Sequence, residues 1–135
     1  MQQLILKFIV SAICGFIIGI EREKSNKAAG LRTSMLICWS MTLFMILNEK
    51  LSLFFPGNSD ILRLPACAVM SIGFLGTGVI YHTKKHAEGV TTACVLLVLV
   101  GIGLLTGIEE YSLALVSSIF TFGILKLKHI ERLFQ

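Results

Sequence analysis

Five long apolar runs, separated by short clusters of charge and turn residues, constrain this chain more than any other feature of its sequence. They cover approximately 4–20, 33–55, 64–81, 90–108 and 111–127, each long enough as a helix to cross or nearly cross the hydrocarbon core of a bilayer. A water-soluble domain of 135 residues, 55% of them apolar and 15% charged, has too little interior to hide that surface. Inside lipid a spanning segment must satisfy its own backbone hydrogen bonds, which leaves the helix as the available conformation. The expected fold is all-α, a polytopic transmembrane bundle of about five helices forming one domain over 1–135. The first run meets Glu21 with no small-x-small cleavage site and no basic segment before it. It is therefore expected to stay as a helix rather than leave as a signal peptide.

The net charge of +4 does not point to nucleic acid, because the basic residues flank apolar segments and form no continuous aromatic-basic face. Nine of the twelve lie on one side of the expected bundle: Arg22, Lys24, Lys27 and Arg32, then Lys84 and Lys85, then Lys126, Lys128 and Arg132. Lys7, Lys50 and Arg63 lie on the other, with Lys7 expected to snorkel to the interface. The positive-inside rule then predicts an outside N-terminus and a cytoplasmic C-terminus. Cys14, Cys38, Cys67 and Cys94 fall one to each of the first four runs with no Cys-x-x-Cys spacing, and are expected to pack as small hydrophobes. No catalytic constellation, metal site or cofactor is expected. His82 and His86 are spaced like helical metal ligands but sit in a short polar link without an evident third ligand.

Small residues mark where helices approach closely in lipid. Gly73, Gly76, Thr77 and Gly78 thin the third run, which is expected to be the central helix. A phosphate-cradling loop would need a strand before these glycines and water around them, and neither is present. Gly15 and Gly19 form a Gly-x-x-x-Gly pair extended by Ser11, Ala114 and Ser118 give the fifth run a small face, and Thr91 and Thr92 open the fourth. The most charged stretch, 21–33, places Glu21, Arg22 and Glu23 at the membrane boundary and Arg32 at a similar depth on the next helix. Charge there is costly unless paired, so an ion-pair network across this loop is the alternative to plain interfacial charge.

Gly15-Phe16-Ile17-Ile18-Gly19-Ile20-Glu21-Arg22-Glu23, followed by Ala29-Gly30-Leu31-Arg32-Thr33, resembles the first signature of the MgtC/SapB membrane proteins. Gly73-Phe74-Leu75-Gly76-Thr77-Gly78-Val79-Ile80 with Gly89-Val90-Thr91-Thr92-Ala93 resembles the second. The resemblance covers nearly the whole chain. It implies a multi-pass protein of the bacterial inner membrane, associated with magnesium homeostasis, growth at low magnesium and survival inside macrophages. It also implies action by restraining ATP synthase or influencing magnesium transport rather than by catalysis. Many members carry a soluble domain after the last helix, where this sequence ends at Gln135, so a short form is expected. Members often place a Trp soon after the Thr-Thr-Ala stretch, where Cys94-Val95-Leu96 stands here.

Two classes of function follow. One is a regulator that contacts another membrane complex, itself a possible homodimer or larger homo-oligomer. The other is an oligomeric cation transporter or channel, which ordinarily leaves ionisable groups at membrane depth. The middle of these helices offers only Ser, Thr, Cys and one Trp, which favours the regulator. Glu21, Arg22, Glu23 and Arg32 are the expected functional polar cluster, carried on a core shaped by Gly15, Gly19, Gly30, Gly73, Gly76, Gly78, Gly89, Thr91 and Thr92.

Overall fold

Leucine, isoleucine and phenylalanine without a proline hold the first run in one helix, α1 (Gln2–Lys24), in the computed structural model, which describes residues 1–55, 57, 60, 62–82 and 87–127. It runs one turn past the expected Ile20, because Glu, Arg and Lys are good helix formers. It stops where Asn26 takes a left-handed conformation at φ 50°, which asparagine tolerates. α2 (Leu31–Phe54) continues through Asn48-Glu49-Lys50 without interruption. α3 (Arg63–Val79) leads into a two-residue antiparallel pairing of β1 (Tyr81–His82) with β2 (Ala87–Glu88). Gly89 then turns the chain into α4 (Val90–Gly107) at φ 86°. A Cβ there would also meet the Val79 carbonyl oxygen at 1.8 Å, so glycine is required twice over. Glu109, at φ 70°, and Glu110 join α4 to α5 (Tyr111–Lys126).

α1, α2 and α4 are long and apolar enough to cross a membrane, and α3 and α5 are shorter apolar helices. The expected all-α membrane bundle is what the chain forms. Its helices alternate in direction, so the C-terminal ends of α1, α3 and α5 share one end of the bundle with the N-terminal ends of α2 and α4. The basic residues 84, 85, 128 and 132, the second histidine at 86, and most of the 56–58 turn lie outside the described residues.

The centre of the bundle is α4, not α3. α4 packs on all four other helices, and Val95, Leu96, Leu99, Val100 and Ile102 fill the core. Its contact with α2 keeps a constant offset of 61 residues. Cys38 Sγ donates to the Leu99 carbonyl at 3.4 Å and Thr42 Oγ1 to the Gly103 carbonyl at 2.9 Å. α1 lies antiparallel to α2, with Gly15 against the backbone of Ser34 and Met35 and Gly19 against Leu31. Backbone-to-backbone approach of this kind supplies the dispersion contact that drives helix association in lipid. α3 is displaced to the side because its glycines point the wrong way. Gly73 and Gly78 have nothing within 4 Å of an added Cβ, and Gly76 alone approaches α4, with Ala93 Cβ at 3.6 Å. The cysteines divide in the same manner. Cys14 and Cys38 are buried in the core as expected, whereas Cys67 and Cys94 are exposed on the bundle surface.

Candidate functional site

The buried face of α1 runs Lys7, Ser11, Cys14, Gly15, Ile18, Gly19, Arg22, the three- and four-residue steps of a helical stripe. Arg22 therefore continues the packing seam and is only 1% exposed. Its Nε and Nη2 reach one oxygen of Glu21, Oε2, at 2.6 and 2.5 Å. The other oxygen, Oε1, accepts Ser25 Oγ at 2.7 Å. The guanidinium is thus neutralised by the residue beside it, but Nη1 is buried with no hydrogen-bond partner. An orphaned buried donor of this kind costs about 1–3 kcal/mol. Arg22 is held in place and remains able to donate.

Glu23 does something different. Its Oε2 accepts the Leu31 N–H at 2.9 Å, capping the first turn of α2 from across the loop. Gly30 makes room for it, since a Cβ at Gly30 would fall 2.1 Å from that oxygen. Arg32 stands apart. It is exposed on α2 and makes no ion pair among the described residues. Among the described residues no ion pair crosses this loop, the pair being between the neighbours Glu21 and Arg22, because α2 turns Ser34, Ile37 and Cys38 inward and leaves position 32 facing out.

The same end of the bundle carries Gly76, Gly78, Gly89, Thr91 and Thr92. Thr92 is buried and Thr91 exposed, and neither caps α4. Beside them Tyr81 Oη donates to Glu88 Oε2 at 2.8 Å. That hydrogen bond and the carboxylate charge push the tyrosine pKa up.

A second polar cluster, at the opposite end, escaped sequence reasoning. Lys7 does not snorkel. It is 6% exposed, and its Nζ donates to the Gly107 carbonyl at 2.8 Å, with Glu109 Oε1 at 3.1 Å and Glu49 Oε2 at 3.6 Å. The one available signal was the four-residue step from Lys7 to Ser11, which puts both on the Gly15–Gly19 face. Among the described residues, no group of three or more His, Cys, Asp or Glu side chains is placed to hold a metal ion.

The MgtC family model matches residues 8–133. The chain is 34% identical to Protein SapB of Bacillus subtilis over 122 residues, 87% of this chain and 53% of that protein. It is 36% identical to the candidate magnesium transporter YhiD of Escherichia coli over 132 residues, 94% of this chain and 61% of that protein. With Protein MgtC of Salmonella typhimurium it shares 35% over 115 residues, 85% of this chain and 48% of that protein. The chain therefore spans about half to three-fifths of the length of these relatives. No solved structure matches it.

Proposed function

The chain belongs to the MgtC family, and from that premise we propose that it is a membrane regulator in magnesium homeostasis which works by contacting another membrane complex. The bundle end carrying Glu21, Arg22 and Glu23 is its working end. By the distribution of basic residues this end faces the cytoplasm. The observation that carries the reading is the Arg22 guanidinium, buried, neutralised by Glu21 and left with an unpartnered donor. A buried pair of this kind adds little net stability as a whole, and the free donor suits an acceptor brought by another molecule. The glycines of the family signatures support the same view. Gly15, Gly19 and Gly30 each have a close neighbour within the chain, whereas Gly73 and Gly78 face outward with none. A second helix packed there, from a partner complex or another copy, would account for them. The partner classes are those the resemblance implies, ATP synthase and magnesium transporters, and intracellular survival is the expected phenotype.

The test is a tagged pull-down from mildly solubilised native membranes, comparing the wild type with Glu21→Gln/Arg22→Gln. The double change removes both charges together and so avoids leaving one buried alone. Co-purification of one membrane complex, lost in the variant at equal protein level, is expected. Recovery of the same complex by both proteins would remove the pair from the interface.

The name of the Escherichia coli relative favours a second reading, an oligomeric magnesium transporter. Magnesium uptake by proteoliposomes containing only this chain, followed with an entrapped indicator, would establish it over the regulator.

A further inference from the structure

At the end of the bundle opposite the Glu21–Arg22 pair, a cleft of about 580 Å³ lies between the last turns of α2 and the first turns of α3. Leu51 lines it from α2 and Phe55 from the residue that follows α2, and Leu64 and Cys67 line it from α3. The volume is that of a small-molecule site, but apart from Asn48 and Ser52 the walls between the charged residues are apolar, and the cleft adjoins the lipid-facing surface, where Leu51 and Phe55 are exposed.

Its charged residues are Asp60 and Arg63. Both are exposed, and no ion pair joins them among the described residues. Asp60 is fixed by the turn that starts α3. Its Oδ1 accepts the Leu62 N–H and its carbonyl the Arg63 N–H, each at 3.1 Å. A carboxylate and a guanidinium thus stand three residues apart beside one apolar cleft.

We propose that this cleft binds an aminophospholipid, with an acyl chain between α2 and α3, the phosphodiester on Arg63 and the headgroup ammonium on Asp60. A guanidinium is suited to phosphate oxygens by its fixed fork of donors. The carboxylate beside it selects the headgroup. It pairs with a primary ammonium and accepts its hydrogen bonds, whereas a glycerol headgroup brings no cation to it and a choline headgroup has no N–H to donate. The apolar lining does not discriminate among these lipids, so the preference rests on Asp60 and the retention on Arg63 and the cleft.

The test is native mass spectrometry of the full chain released from vesicles of equal parts dioleoyl phosphatidylethanolamine, phosphatidylglycerol and phosphatidylcholine. Wild type is expected to retain phosphatidylethanolamine over the other two by roughly fivefold, the size of one partly exposed charge pair. Asp60→Asn should retain the three lipids equally, and Arg63→Gln should retain less of each. Leu51→Trp should fill the cleft and release the lipid with both charges in place. Should that variant unfold, Cys67→Phe fills the same space from α3. Wild type that retains phosphatidylglycerol best, or no lipid beyond the filled variants, overturns the proposal. So does an unchanged phosphatidylethanolamine preference in Asp60→Asn.

Discussion

The Lys7 ammonium donates to the Gly107 carbonyl at 2.8 Å, joining residues one hundred positions apart. It caps the C-terminus of α4, where the helix dipole is negative, and lies near Glu109 and Glu49 from the adjoining turn and α2. One side chain thereby ties α1, α2 and the α4–α5 turn together. Lys7→Met keeps an unbranched stem and deletes the donor, leaving the Gly107 carbonyl without this charge-assisted hydrogen bond. The expected loss is about 2 kcal/mol, read as a lower unfolding midpoint in detergent micelles. An unchanged midpoint would show that the carbonyl finds another donor at no cost.

Glycines in this bundle divide by what faces them. At Gly103 a Cβ would stand 2.5 Å from the Cys38 carbonyl oxygen and 2.7 Å from Met41 Cβ. Backbone cannot yield locally, so Gly103→Ala should force α2 and α4 apart and cost about 2–3 kcal/mol. Gly73→Ala meets nothing and should leave the unfolding free energy unchanged, or raise it by up to about 1 kcal/mol through helix propensity. Gly76→Ala has room beside Ala93, whereas Gly76→Leu should detach α3 from α4 and lower the yield of folded protein. Equal midpoints for Gly103→Ala and Gly73→Ala would contradict the packing described here.

The helices themselves were legible in the sequence because lipid leaves an apolar segment few alternatives. The rotation of each helix was not. The third and fourth runs both contain three glycines in a short span, and nothing local distinguishes Gly73, which faces out, from Gly103, which touches α2. That choice is made by the neighbours. The candidate site was half legible. Its residues stand in one charged stretch, and the seam through Ser11, Gly15, Ile18 and Gly19 predicts that Arg22 turns inward. Charge complementarity alone suggested an ion pair for Arg32 that the orientation of α2 does not make. Lys7 was misplaced for the opposite reason, since a lysine near a helix end ordinarily reaches water unless a carbonyl and two carboxylates converge on it.

Glu21 and Arg22 should behave as a unit. Arg22→Ala leaves the Glu21 carboxylate buried with Ser25 as its remaining side-chain partner, and should cost about 3 kcal/mol or more. Glu21→Gln/Arg22→Gln retains hydrogen-bonding groups without charge and should cost markedly less than the sum of Glu21→Gln and Arg22→Gln. The coupling is read from a double-mutant cycle of unfolding free energies. Additive single-site losses would mean that the pair is not an energetic unit, and that Arg22 is held by packing alone.

Gly30 and Glu23 make the last coupled pair, and here the expected result is silence in the double variant. Gly30→Ala places a Cβ 2.1 Å from Glu23 Oε2. The contact is with the free end of a side chain, so the carboxylate can swing away rather than strain the loop. In doing so it releases the Leu31 N–H it accepts at 2.9 Å, and α2 loses its cap. Glu23→Ala removes the same hydrogen bond directly. Each change should therefore cost about 1 kcal/mol, the usual value of a lost N-terminal cap. Once Glu23 is absent, the added methyl at Gly30 meets no oxygen. Glu23→Ala/Gly30→Ala should then be no less stable than Glu23→Ala alone. A Gly30→Ala loss that persists in the Glu23→Ala background would show that Gly30 is needed for its backbone and not for the carboxylate it admits.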